Sequence, residues 1–155
     1  MVRREWLVLL AFAAATALAA LGGSLATIDA ADEYADLEQP AWAPPSWLFG
    51  PAWTVLYAMI AVAGWLAWRE AGLRSREVAL WGIQLAMNAL WSPLFFAWGL
   101  RGVALAWIVG LDLVVAATLT AFWRRSRTAA WLLVPYMAWI LFATALNASV
   151  WWLNR

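Results

Sequence analysis

The chain has 155 residues, 66% of them hydrophobic and only 12% charged, with 15 tryptophans and neither cysteine nor histidine. A globule of this size leaves too much of its chain exposed to hide that much apolar surface from water, so the composition calls for lipid as the solvent. The net charge of +1 is uninformative, but the missing residue types exclude disulfides, Cys/His zinc sites, Ser–His triads and the usual histidine or thiolate ligation of haem iron.

Crossing roughly 30 Å of hydrocarbon takes about 20 apolar residues. Five runs meet that length: Trp6–Ile28, Trp47–Trp68, Val78–Trp98, Val103–Trp123 and Ala129–Leu153. Backbone polar groups cannot stay unpaired in hydrocarbon, and the alternating polarity of barrel strands is missing, so all five are predicted as helices. The expected fold is all-α, a five-transmembrane-helix bundle forming one domain over residues 1–155. Short second to fourth loops make sequential helices antiparallel neighbours.

The first run follows Arg3-Arg4, an arrangement shared with secretory signal peptides, but its 23 residues favour a retained helix. Its small-residue steps Ala15/Ala19/Gly23, like Gly82/Ala86 in the third run, suit close helix contact or a dimer seam.

The first loop, about Asp29 to Ser46, is the one loop long enough to act as a lid. It carries Asp29, Asp32, Glu33, Asp36 and Glu38 and no basic residue. Pro40, Pro44, Pro45 and Pro51 then impose a stiff, extended entry to the second helix, which is predicted to begin near Ser46 as N-cap. Trp42, Trp47 and Trp53 lie along that entry, where an interfacial aromatic belt forms. A belt accounts for the tryptophans but not for the prolines between them.

In the third run Gln84 and Asn88 share a face that Trp91 and Phe95 continue. Buried amides in a span serve either as interhelical glue or as the wall of a polar-edged cavity, and periodicity leaves both open. Asp112 in the fourth run is the one intramembrane acid, with hydroxyls at Thr118 and Thr120 as candidate partners. The fifth run aligns Trp139, Ala143 and Asn147 at successive steps of four, one turn after Pro135-Tyr136. That stripe suits a slot for a flat molecule, or ordinary close packing.

All ten basic residues are arginines at termini or loops. Eight of them (Arg3, Arg4, Arg69, Arg74, Arg76, Arg124, Arg125, Arg127) fall on one side and two (Arg101, Arg155) on the other. Positive-inside bias therefore predicts a cytoplasmic N-terminus in the cell membrane, with the first loop and C-terminus outside. No basic, aromatic-interleaved face suggests nucleic acid.

Three motifs in order resemble one family. The stretch Pro40-Ala41-Trp42-Ala43-Pro44-Pro45-Ser46-Trp47 leads into Phe49-Gly50-Pro51-Ala52-Trp53-Thr54-Val55-Leu56-Tyr57. The others are Gln84 through Phe96, and Val134-Pro135-Tyr136-Met137-Ala138-Trp139 with Ala143-Thr144-Ala145-Leu146-Asn147. Together, over essentially the whole chain, they resemble the TspO/MBR family of translocator proteins, also called peripheral-type benzodiazepine receptors. The resemblance implies a homodimeric five-helix protein that binds flat hydrophobic ligands, protoporphyrin IX and haem among them, without a required cofactor or metal. It implies a pocket of Tyr34, Pro44, Phe49, Trp53, Tyr57, Asn88, Trp91, Phe95, Trp139, Ala143 and Asn147. The basic residue of the family's cholesterol motif is missing between Met137 and Ser149, so sterol binding is not expected.

The function expected is a membrane receptor or transport protein for tetrapyrroles, active in porphyrin transport or stress sensing. No acid/base pair or metal site supports ordinary catalysis. Two alternatives stand beside it: light-dependent porphyrin breakdown, with Trp53 and Trp139 as the photo-active residues, and a structural or partner-binding membrane protein.

Overall fold

The computed structural model describes residues 2–25, 27 and 34–155. The expected end of the first span at Ile28, and Asp29, Asp32 and Glu33 of the first loop, lie outside them. Five helices carry the described chain: α1 (Val2–Leu25), α2 (Phe49–Ala71), α3 (Arg76–Ser92), α4 (Arg101–Trp123) and α5 (Arg127–Leu153). With the short turns that precede α2 and follow α3, they form five apolar spans of 21 to 27 residues (Glu5–Leu25, Ser46–Ala71, Arg76–Ala97, Arg101–Trp123 and Arg127–Leu153), long enough to cross a bilayer.

The helices close a ring in the order α1, α2, α5, α4, α3 and back to α1. Sequential helices are neighbours as expected, although α2 and α3 meet only sparsely. Ile60, Ala63 and Ala67 of α2, Trp81 and Leu85 of α3, Ile108, Leu111 and Val115 of α4, and Leu133, Tyr136 and Ile140 of α5 fill the interior. The outward faces are just as apolar, with Leu7, Leu10, Leu18 and Leu21 of α1, Val55, Ile83, Leu113 and Trp131 exposed. Lipid is the only solvent that accepts such a surface.

The helix ends refine the expected boundaries. Ser75 and Ser126 cap α3 and α5, their hydroxyls accepting from Val78 N at 3.2 Å and Ala129 N at 3.3 Å. Ser46 makes no such bond. It opens a single 3₁₀ turn, Ser46–Leu48, after an extended Pro45 (φ −63°, ψ 144°), and α2 begins at Phe49. Pro51 sits in the first turn of α2, where its missing N–H costs nothing because that N–H has no helical partner.

The third span is not one straight helix to Trp98. Pro93 ends the regular α3 hydrogen bonding, and Pro93–Ala97 forms a π-helical turn closed by Trp98 N–H to the Pro93 carbonyl at 2.9 Å. Phe95 and Phe96 lie in this turn, and both rings approach Tyr34 and Trp91. Gly99, with φ of +62°, then reverses the chain into α4.

The Ala15/Ala19/Gly23 stripe is used inside the protomer. Ala15 and Ala19 pack on the core, and a Cβ at Gly23 would lie 3.3 Å from Ser92 Oγ. Gly82 and Ala86, by contrast, face outward. At one end of the bundle, Arg69 pairs with Glu5 at 3.8 Å and stacks over Trp65, whose indole N–H donates to the Glu5 carbonyl at 3.2 Å. Arg125, in the turn between α4 and α5, pairs with Glu77 at the start of α3 at 3.4 Å. Exposed pairs of this kind add at most about 1 kcal/mol each, so packing holds the ring together.

Candidate functional site

Four segments converge on one aromatic cluster: the first loop, the start of α2, the end of α3 with its π turn, and the middle of α5. Trp53 stacks on Tyr57 at 5.3 Å and meets Tyr136 and Trp139 edge-on at 6.3 and 6.4 Å. Trp139 touches Phe49 at 5.9 Å, and Phe49 touches Tyr34 at 6.3 Å. Tyr34 also approaches Phe95 and Phe96 at 6.3 and 5.8 Å, and Phe95 stacks on Trp91 at 5.4 Å. Tyr34 therefore joins two sub-clusters, one on α2/α5 and one on α3. The first loop also reaches α5 through Trp42 against Phe142, at 5.7 Å.

Two asparagines thread polar links through these rings. The Tyr57 hydroxyl donates to Asn88 Oδ1 at 2.7 Å, and Asn88 Nδ2 donates to the Tyr136 hydroxyl at 3.1 Å. Asn147 accepts from the Trp91 indole at 3.2 Å and donates to the Arg101 carbonyl at 2.9 Å. Asn88 thus connects α2, α3 and α5, and Asn147 connects α3, α4 and α5. Gln84, one turn before Asn88, is wholly buried with neither amide atom hydrogen-bonded among the described residues. A buried amide with spare donors and acceptor is where a polar guest gains most.

Of the eleven residues singled out from sequence, Tyr34, Phe49, Trp53, Tyr57, Asn88, Trp91, Phe95, Trp139 and Asn147 are brought into this network. Pro44 is half-buried in the loop, and Ala143 is buried on α5, but neither makes a polar or ring contact with it. The structure adds Tyr136, Phe96 and Phe142. Tyr136 was findable, because it lies seven residues before Ala143 on the same face of α5. Phe96 was not, since helical spacing puts it off the face that Gln84, Asn88, Trp91 and Phe95 share.

Asp112 takes a different partner from the ones expected. Thr118 and Thr120 bond back to the Val114 and Ala116 carbonyls at 2.7 and 2.8 Å, as hydroxyls in spans commonly do. It is Thr144 of α5 whose hydroxyl lies 2.9 Å from Asp112 Oδ2, shared with the Ile140 carbonyl at 2.9 Å. Among the described residues no group of three acidic side chains gathers to form a cation cage.

Tyr34 is buried, and its hydroxyl has no hydrogen-bond partner among the described residues. Burial pushes its ionisation above the ordinary tyrosine range. Because the docked loop favours the neutral phenol, this contribution is intact below that range and is lost as pH rises beyond about 10. Tyr34→Phe is expected to abolish that alkaline loosening and to firm loop docking by about 1 kcal/mol, since it removes an unpaired buried hydroxyl. Hydrogen exchange at residues 37–43, measured against pH, checks both effects.

Five apolar helices of spanning length, with an apolar exterior, define a multi-pass integral membrane protein. A sequence model of the TspO/MBR family matches residues 8–153, and the chain belongs to that family. It is 43% identical over 122 residues to a tryptophan-rich protein TspO from Archaeoglobus fulgidus, covering 78% of this chain and 79% of that one. It is 39% identical over 152 residues to a tryptophan-rich sensory protein from Cereibacter sphaeroides (97% and 93%). With the translocator protein of Sus scrofa the identity is 39% over 144 residues (88% and 85%).

Proposed function

We propose that the protein binds tetrapyrroles such as protoporphyrin IX or haem, and similar flat hydrophobic molecules, in the aromatic cluster beneath the first loop. It would serve as a homodimer in porphyrin transport or stress sensing. In this reading the arginine-rich side is cytoplasmic and the first loop faces out of the cell membrane. The observation that carries the proposal is the convergence of Trp53, Trp139, Trp91 and Tyr34 from four segments, tied together by the buried amides of Asn88 and Asn147. A broad planar ring inserted among them trades ring–ring contacts for ring–ligand contacts of about 0.5–1.5 kcal/mol each, in addition to its own area burial. Asn88 and Gln84 offer hydrogen bonds to a polar edge on one face of α3.

The chain has no histidine or cysteine to hold iron, so free-base porphyrin should bind about as well as haem. The test is a tryptophan-fluorescence titration with protoporphyrin, haem and a sterol side by side. Trp139→Ala is expected to weaken porphyrin binding about tenfold, equivalent to about 1.4 kcal/mol, by removing one wall and its contacts to Phe49 and Trp53. Unchanged quenching in that variant, or a haem spectrum with strong axial ligation, would contradict the proposal.

A further inference from the structure

Between the ring contacts of Tyr34 and Trp42, the middle of the loop is held by the polar side chain of one residue at the end of α5. Asn154, the residue that caps α5, accepts from the Glu38 backbone N–H at 3.0 Å and donates back to the Glu38 carbonyl at 2.9 Å. Its second amide hydrogen goes to the Val150 carbonyl at 2.8 Å, one turn back in α5. The loop on the other side of this pair is a preformed unit. Leu37 N–H bonds to the Tyr34 carbonyl at 3.3 Å, Ala43 N–H to the Pro40 carbonyl at 2.9 Å, and Gln39 Nε2 to the Tyr34 carbonyl at 2.8 Å.

We infer that Asn154 is the clasp of the first loop, a positioning residue that sets how often residues 34–45 lift from the bundle. Three observations carry this. The two bonds at Glu38 are reciprocal, so both backbone groups of one loop residue are satisfied by one side chain more than a hundred residues away. Only a primary amide donates and accepts in that geometry: aspartate lacks the donors and alanine lacks both groups. The loop carries no basic residue, and the ion pairs among the described residues involve Glu5 and Glu77 rather than the loop, so a neutral clasp stands where a salt bridge would otherwise be needed.

The inference rests on the tetrapyrrole reading only for its ligand readout. Full-length protein in lipid nanodiscs is compared with Asn154→Ala and Asn154→Asp. Hydrogen exchange at the amides of Leu37, Glu38 and Ala43 is expected to quicken about tenfold in Asn154→Ala, the effect of losing two exposed hydrogen bonds. It should quicken at least as much in Asn154→Asp, and both effects should persist in high salt. Stopped-flow with protoporphyrin IX should show association and dissociation rates both raised about tenfold, with Kd within about twofold, because the hydrogen bonds of the Asn154 side chain go to the Glu38 backbone and the Val150 carbonyl rather than to the rings. The native chain has no cysteine, so Glu38→Cys/Asn154→Cys, oxidised, should hold the loop closed and slow porphyrin exchange until reductant is added.

Loop exchange unchanged in both Asn154 variants overturns the clasp. Porphyrin failing to bind the unaltered protein overturns the tetrapyrrole reading instead, and the loop amides then decide the clasp by themselves. Quicker loop exchange with unaltered porphyrin rates would show that ligand does not pass under the loop, and would overturn the gating role.

Discussion

Replacing Asn88 with leucine is expected to destabilise the bundle by about 2 kcal/mol and to weaken porphyrin binding by more than tenfold. The side chain is buried and joins three helices, accepting from Tyr57 and donating to Tyr136. Leucine fills similar volume but leaves two phenolic hydroxyls without that partner, one of them on the wholly buried Tyr136. In water-soluble proteins each orphaned buried group costs about 1–3 kcal/mol. Interhelical hydrogen bonds in membranes average nearer 0.6 kcal/mol, because the unfolded chain in lipid also finds partners, so the lower end applies to each. The decisive comparison is the triple variant Asn88→Leu/Tyr57→Phe/Tyr136→Phe, which removes both sides of the network. Its stability in a detergent unfolding titration should return close to the starting value. A single variant as stable as the unaltered protein would mean that ring packing alone joins these helices.

The second large effect is expected at Gly64. A Cβ placed there would lie 2.5 and 2.6 Å from the Trp81 indole and 2.8 Å from a Phe12 ring carbon. Those rings have nowhere to go. Trp81 donates its indole N–H to the Ile60 carbonyl at 2.9 Å, and Phe12 meets it edge-on at 4.6 Å. Gly64 is the notch in α2 that admits α3 and α1 together, so Gly64→Ala is expected to cost about 1–3 kcal/mol by overpacking, and Gly64→Val more. Gly82, with nothing within 4 Å of an added Cβ, is the control. Gly82→Ala should be neutral or stabilising by up to about 1 kcal/mol through helix propensity. Thermal unfolding in one detergent separates the two positions, and equal effects at both would contradict the notch.

Some of the candidate site could be read from sequence because helical spacing is blind to the solvent outside. Gln84, Asn88, Trp91 and Phe95 fall on one face whether or not a membrane surrounds them, and the same arithmetic aligned Trp139 with Asn147. The reading failed where local geometry broke the period. Apolar run length predicts one continuous helix from Val78 to Trp98, but Pro93 lacks the N–H that would continue the α3 ladder, and a π turn follows it. The hydroxyl for Asp112 was sought on its own helix at Thr118 or Thr120. Thr118 and Thr120 lie about 9 and 12 Å further along the helix than Asp112, beyond a side chain's reach, so the partner came from α5 at Thr144. Asn154 carried no signal at all, since a polar residue at the end of a span is unremarkable until a distant backbone segment lies against it.

The sequence by itself determined that the chain lives in lipid, how many times it crosses, and which amides and rings each span carries. Those are properties of run length and residue type, which lipid enforces segment by segment. Only the tertiary structure decided the α1–α2–α5–α4–α3 ring, the inward use of the Ala15/Ala19/Gly23 stripe and the docking of the first loop. In water, an amphipathic stripe tells a helix which way to face. Here acyl chains outside and side chains inside are equally apolar, so orientation is fixed by close fit and a few cross-helix hydrogen bonds, which no single helix records in its own sequence.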